Sequence, residues 1–195
     1  MQRQDLWATP LWYFNVPPSL INPYDIVQDA YAHQKLDTGV VYSNVGGYQS
    51  TALTKDDRVP PTLTKLMGIL VQQCQTCSME FGFERNLDLA NFWININKKN
   101  NYNKMHIHPS SILSGTYYAA TPPQSGGIIF HNRPETSYIL AELTRLGAKN
   151  TRFTTTDQAC EPKAGGVLVF PGWLQHSVEE NRSEEDRISI SFNLA

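Results

Sequence analysis

The stretch Arg187-Ile188-Ser189-Ile190-Ser191-Phe192-Asn193-Leu194 alternates apolar and polar residues without a break. Residues two apart in a strand share a face. Ile188, Ile190, Phe192 and Leu194 therefore fall on one side, and Arg187, Ser189, Ser191 and Asn193 on the other. One reading is a half-exposed antiparallel strand with a solvated polar face. The other turns the polar face into a barrel, where an arginine fork and a serine hydroxyl could hold a carboxylate by charge-assisted hydrogen bonds.

Working back from that strand, the chain reads as strand and turn as far as Leu87. Further strands are expected at residues 87–97, 111–120, 127–130, 151–156, 166–170 and 176–179. Pro122-Pro123 and Gly126-Gly127 punctuate them. A short amphipathic piece at 138–146 reads as a helix between strands. Ahead of Leu87 the character is different. Residues 6–14 are aromatic and β-prone, 24–36 carry a helical spacing of apolar residues, and Pro60-Pro61 open a second helix. Its stripe is Leu63, Leu66, Met67, Leu70, Val71 and Cys74, and it should fade near Gly82. The polar loop 39–59 between the helices suits a lid over a site or a plain surface excursion. Helices followed by strands predict one α+β domain over 1–195. Residues 1–86 would supply a strand and supporting helices packed outside, and 87–195 a sandwich or short barrel.

Composition narrows the function classes. The chain has 195 residues, 41% of them hydrophobic and 17% charged, which suits a folded globule rather than a disordered chain. Sixteen basic against eighteen acidic residues give a net charge of −2. Nucleic-acid binding through phosphate neutralisation is not expected. No apolar run approaches the about 20 residues that span a bilayer, and no basic-then-apolar leader opens the chain. Cys74 and Cys77 form a Cys-x-x-Cys pair, but on a helical segment without a second pair, so ordinary thiols in a reducing cytoplasm are the better reading.

The histidines carry the chemistry. His106 and His108 are two apart, which on a strand puts both imidazoles on one face, where they could share a metal. Two exposed histidines before Pro109 are the competing reading. His176 tips the balance: an apolar strand, Gly166 to Phe170, ends at the turn Pro171-Gly172, and the histidine starts the return strand. The strands between could bring it opposite the pair. Arg187 follows one short strand and a turn later, so a cation would face the metal from a neighbouring strand.

At this point the sequence resembles the Fe(II)- and 2-oxoglutarate-dependent oxygenases. Their pattern is His-x-Asp/Glu, a distant His, then Arg-x-Ser/Thr. Here it reads His106-Ile107-His108, His176 and Arg187-Ile188-Ser189. The chain is similar in particular to a group common in marine bacteria and their phages. That group carries stretches like Gly47-Tyr48-Gln49-Ser50, Trp93-Ile94-Asn95-Ile96-Asn97, His106-Ile107-His108-Pro109, Ser114-Gly115-Thr116-Tyr117-Tyr118 and Phe170-Pro171-Gly172-Trp173-Leu174-Gln175-His176. The likeness runs from about Gly46 to the C-terminus.

The resemblance implies a double-stranded β-helix, or jelly-roll, core. It implies Fe(II) held by His106, His108 and His176, with His108 in the place of the acidic ligand. Arg187 would pair with the distal carboxylate of the cosubstrate 2-oxoglutarate and Ser189 would hydrogen-bond it. Asn95, Asn97 and Tyr118 are further cosubstrate candidates. The reaction implied is an O₂-dependent dioxygenation, hydroxylating a small molecule or a peptide side chain in the cytoplasm of a bacterium or a phage-infected host. Jelly rolls often pair through edge strands, which allows a homodimer.

A third histidine replaces an anion by a neutral ligand, which should weaken iron retention unless a carboxylate such as Glu179 comes in from elsewhere. Two rivals follow. A cupin-type three-histidine metal protein would need no 2-oxoglutarate, but it would leave Arg187 and Ser189 without a role. A non-catalytic jelly-roll binding module would use the same pocket. Trp93, Trp173, Tyr117 and Phe130 read as core residues, and His131 as a surface residue or part of the pocket rim.

Overall fold

The alternation at the C-terminus is realised as the central strand of a six-stranded sheet. The computed structural model describes residues 2, 8–54, 59–132, 134–149 and 151–195. In chain order the elements are β1 (Trp12–Asn15), α1 (Pro23–Gln34), β2 (Asn44–Val45), β3 (Tyr48–Gln49), α2 (Pro61–Glu80), β4 (Leu89–Asn97), β5 (Tyr102–His106), β6 (Leu113–Ala120), β7 (Ile128–His131), α3 (Pro134–Arg145), β8 (Asp157–Cys160), β9 (Gly166–Pro171), β10 (His176–Val178) and β11 (Arg187–Leu194). One sheet runs β1-β9-β6-β11-β4-β3 and the other β2-β5-β10-β7-β8, every named pairing being antiparallel. Two such sheets face to face make the jelly roll.

The first sheet is amphipathic in an unusual sense, because its apolar face looks out of the barrel. Ile188, Ile190, Phe192 and Leu194 join Phe92, Ile94 and Ile96 of β4 in one buried cluster. The cluster includes Ile26 and Ala30 of α1 and Leu63, Leu66, Met67, Leu70 and Cys74 of α2. Each such side chain contributes about 1.5–3 kcal/mol on burial, so the helices are held by the sheet and the sheet is sealed by the helices. The polar face is left to line the space between the sheets.

Local sequence explains how the helices begin and end. Asn22 caps α1, its side-chain oxygen accepting from the Tyr24 N–H at 3.1 Å, and proline opens the first turn of both α1 and α2. Gly82, at φ +97°, terminates α2 in a left-handed conformation. Among the described residues no helix is long and apolar enough to cross a membrane.

The sequence-based boundaries for α1, α2, β4, β6, β7, β9, β10 and β11 agree with the structure to within a few residues. The helix expected at 138–146 is α3. The strand expected at 151–156 is not there. Its threonines close local turns instead, with Thr154 and Thr155 N–H donating to the Thr151 carbonyl, each at 3.0 Å, and the strand follows at Asp157. β5 was not foreseen as a strand. The N-terminal strand is shorter than expected, and residues 6 and 7 lie outside the described ones. The loop 39–59 is no free lid over its described part: β2 pairs with β5 and β3 with β4, so the turn Gly46-Gly47 stitches one sheet to the other. Residues 55–58 of it lie outside the described ones.

Candidate active site

Two strands and a turn bring the histidines together. His106 ends β5 and His176 opens β10, and the two are cross-strand partners. His108 lies just past β5, where its N–H donates to the Gly172 carbonyl at 2.8 Å, tying it to the Pro171-Gly172 turn. Ring centroids are 4.3 Å apart for His106 and His176, 5.0 Å for His108 and His176, and 5.3 Å for His106 and His108. One ring nitrogen from each can be chosen so that all three lie within 4.8 Å of one another. That set could hold a metal ion.

The hydrogen bonds decide which nitrogen faces the centre. Nδ1 of His106 lies 2.7 Å from the Lys104 carbonyl, and Nδ1 of His176 lies 2.8 Å from the Leu174 carbonyl. A carbonyl only accepts, so both Nδ1 atoms carry the proton and both Nε2 atoms present a lone pair. His108 reaches the same state through side chains: its Nδ1 is 2.8 Å from Ser114 Oγ and 2.8 Å from Asn193 Oδ1.

Electrostatics keeps the three rings neutral. Burial pulls His106 below its usual value. Burial and then the neighbouring His106 bring His108 down to about 4 and His176 down to about 3. At neutral pH the lone pairs are free for a cation.

The histidines open into a cavity of about 680 Å³ between the sheets. Arg187 lies in its wall, 1% exposed. Nη1 of Arg187 donates to the carbonyls of Ser125, Gly126 (3.2 Å) and Glu179 (3.0 Å), which fixes the guanidinium. Nη2 is buried and has no partner among the described residues. A buried cationic donor without an acceptor is costly, and a carboxylate in the cavity would satisfy it. Ser189 is the cross-strand partner of both Tyr118 and Asn95, and Asn97 that of Arg187. Tyr118 is pushed well above the usual phenol range by burial, so it stays a donor. The donor set therefore fits a small dicarboxylate, as the histidines fit a divalent cation.

All eight residues singled out from sequence, His106, His108, His176, Arg187, Ser189, Asn95, Asn97 and Tyr118, line this one cavity. Among its described lining residues there is no carboxylate. Glu179, the alternative acidic ligand, is engaged elsewhere, accepting from the Gly127 N–H at 3.0 Å. Two aromatic assignments change. Trp93 is a half-buried cavity residue whose ring lies 5.5 Å from that of His108, and Trp173 is 48% exposed. Tyr117 and Phe130 are buried as expected. His131 lies outside the cavity lining, held by Asp157 Oδ1 at 2.6 Å and Ser177 Oγ at 2.9 Å.

Sequence reasoning gave no role to Asn193, Ser114 or Asn91, which form a hydrogen-bonded chain behind His108. Asn193 was visible on the polar face of its strand, but nothing in the sequence tied it to His108.

The family described as "Putative 2OG-Fe(II) oxygenase" matches the chain over residues 91–193. No curated protein matches the sequence. Among solved structures, a prolyl-4-hydroxylase from Pseudomonas putida aligns with a TM-score of 0.66 at 12% identity, covering 97% of this chain and 94% of that one. A prolyl hydroxylase from Trichoplax adhaerens, in complex with a hypoxia inducible factor peptide fragment, aligns at 0.65 and 12% identity, covering 94% and 82%. HygX from Streptomyces hygroscopicus, with nickel and 2-oxoglutarate bound, aligns at 0.60 and 13% identity, covering 96% and 83%. These likenesses share the jelly-roll fold.

Proposed function

The chain belongs to the 2OG-Fe(II) oxygenase family, and on that premise we propose that His106, His108 and His176 hold the iron while Arg187 and Ser189 anchor 2-oxoglutarate. The observation that carries the proposal is the pairing of two unmet needs in one cavity. Three imidazole lone pairs converge, and the buried Nη2 of Arg187 lacks an acceptor.

The division of labour follows from the walls. His106 and His176 reach the centre from paired strands, their tautomers set by the Lys104 and Leu174 carbonyls, and His108 completes a neutral face. Arg187 stands beside them with its Nη1 spent on three carbonyls, so Nη2 is directed by the frame rather than by the ligand. Tyr118 and Ser189 offer O–H groups on the adjoining register positions, and Asn95 and Asn97 amide groups. When bound, iron with O₂ supplies the oxidising chemistry, 2-oxoglutarate being converted to succinate and CO₂ as an oxygen atom goes to the substrate. Phe170 and Ile128 add an apolar part to the wall of the same cavity.

The reaction class is hydroxylation of a small molecule or a peptide side chain. Trp93 beside His108 gives such a substrate a flat apolar surface, and Lys104 disfavours cationic groups. A cupin-type role would leave the Nη2 end of Arg187 without a purpose, and a pure binding module would not need three neutral lone pairs. We read 1–195 as one domain acting in the cytoplasm, in keeping with the free thiols of Cys74, Cys77 and Cys160.

The test is anaerobic titration of the Fe(II)-loaded protein with 2-oxoglutarate, followed by admission of O₂ and assay of succinate. Chelation is expected to give a metal-to-ligand charge-transfer band, lost in His106→Ala and weakened in Arg187→Ala. A protein that binds iron but gives neither band nor succinate sinks the proposal.

A further inference from the structure

Of the three imidazoles, two are set by the backbone and one by side chains. His106 and His176 lean on backbone carbonyls two residues earlier, Lys104 within β5 and Leu174 in the turn before β10, which no side-chain substitution removes. His108, at the position where the family pattern has an acid, leans on Ser114 and Asn193.

The polarity of that chain can be worked out from its far end. Asn193 Nδ2 donates to Asn91 Oδ1 at 3.0 Å, so the amide is turned with Oδ1 toward His108. Ser114 Oγ donates to the same Oδ1 at 2.8 Å. Its one proton is thereby used, and Oγ can only accept from the ring. His108 Nδ1 thus faces two acceptors and must carry the proton, because the other tautomer would set lone pair against lone pair. Ser114 is fully buried, so water cannot replace it. From these contacts we propose that Asn193, backed by Asn91 and seconded by Ser114, is the positioning residue that lets a histidine serve as the third metal ligand. The inference rests on the three-histidine reading above.

The arrangement also has a consequence for charge. A carboxylate ligand would bring a negative charge to the metal, and His108 does not. An anionic acceptor behind His108 would return part of it through the ring, as carboxylate–histidine–metal chains do. Asn193→Asp should do this while keeping the acceptor and nearly the shape, with the Asn91 amide turning over to donate its Nδ2 to the new oxygen where its Oδ1 now accepts.

Co(II) is the probe, since it needs no oxygen exclusion and its visible spectrum reports ligand geometry. Wild type is expected to bind it with a defined d–d spectrum. Asn193→Leu, which removes the acceptor at similar volume, should weaken binding roughly 10- to 100-fold and alter the spectrum. Asn193→Asp should keep the spectrum and bind at least as tightly as wild type. Should Asn193→Leu not fold, Ser114→Ala with Asn193→Asp decides: looser binding in the first and retained or tighter binding in the second are expected. Unchanged affinity and spectrum in Asn193→Leu, or weaker binding in Asn193→Asp, overturns the inference and leaves the three-histidine site standing. A wild type that takes up no Co(II) overturns that site and the inference together.

Discussion

His106 and His176 are direct cross-strand partners on β5 and β10, with ring centroids 4.3 Å apart. Two imidazoles so close and so buried cannot both take a proton, and His176 and His108 are held at about 3 and about 4 against about 6.5 in an unfolded chain. The sign of the linkage follows. Below pH 6.5 the unfolded chain binds protons that the folded one refuses, so stability falls as pH falls. The loss is about 1.4 kcal/mol per pH unit for each ring that stays neutral. Metal-free protein should therefore show a urea midpoint that drops steadily from pH 7 to pH 5, with a shallower slope in His176→Gln. A midpoint independent of pH over that range would contradict the burial argument.

In the role proposed for it, Arg187 would join stability to cosubstrate binding, since one end of its guanidinium holds the Ser125, Gly126 and Glu179 carbonyls and the other end has no partner among the described residues. A lysine keeps the charge but cannot serve both ends. With a hydrogen bond to a charged group worth about 1.5–3 kcal/mol, Arg187→Lys should raise the Kd for 2-oxoglutarate roughly 10- to 100-fold and leave metal affinity within about twofold. Calorimetry on the Ni(II)-loaded protein measures both. Equal loss of metal and cosubstrate binding would mean that the arginine matters only for folding.

The residues of the candidate site were legible in the sequence where residue type and spacing coincide, and they line one cavity. His106-x-His108, His176 and Arg187-x-Ser189 name groups whose chemistry has few other uses in that order. Alternation in β11 placed Arg187 and Ser189 on one face, and the jelly roll turned that face inward. What escaped was set by tertiary contact. β5 reads as polar, its Asn103 and Lys104 lacking β-propensity, and it is a strand only because β2 and β10 flank it. Trp93 reads as core because a large aromatic usually is, yet it shares the odd-numbered face of β4 with Asn91, Asn95 and Asn97, and that face lines the cavity. Asn193 and Asn91 meet through cross-strand register, which no spacing along the chain encodes.

Two glycines test the packing in opposite directions. A Cβ on Gly115 of β6 would stand 2.3 Å from Phe192 Cζ and 2.8 Å from the Leu168 carbonyl, in the wall behind the cavity. A Cβ on Gly68 of α2 would meet nothing within 4 Å. Gly115→Ala should thus cost about 1–3 kcal/mol by overpacking, whereas Gly68→Ala should gain up to about 1 kcal/mol from helix propensity. Thermal melts of the two variants give the comparison, and a neutral Gly115→Ala would show that β6 and β11 are packed less tightly than the distances require.

The segment bridging the sheets is tied down at Asp37. Its carboxylate accepts from the N–H groups of Thr51 at 2.8 Å and Gly39 at 3.2 Å and from the Tyr48 hydroxyl at 3.1 Å. Burial alone would push Asp37 up, but the Thr51 and Gly39 N–H groups and the Tyr48 phenol outweigh it and hold the carboxyl below its ordinary value. Its contribution is then fully present above the unfolded carboxylate range and lost as pH falls through the lowered folded value. Without the carboxylate, Gln49 and Ser50 at the cavity wall lose one of their anchors and keep the contacts to β4. Asp37→Ala should accordingly speed proteolysis between residues 39 and 54 at neutral pH and raise the KM for 2-oxoglutarate only modestly. Wild type should approach the same cleavage rate only in strong acid. Cleavage no faster in Asp37→Ala than in wild type would mean that the β2 and β3 pairings alone hold the bridge.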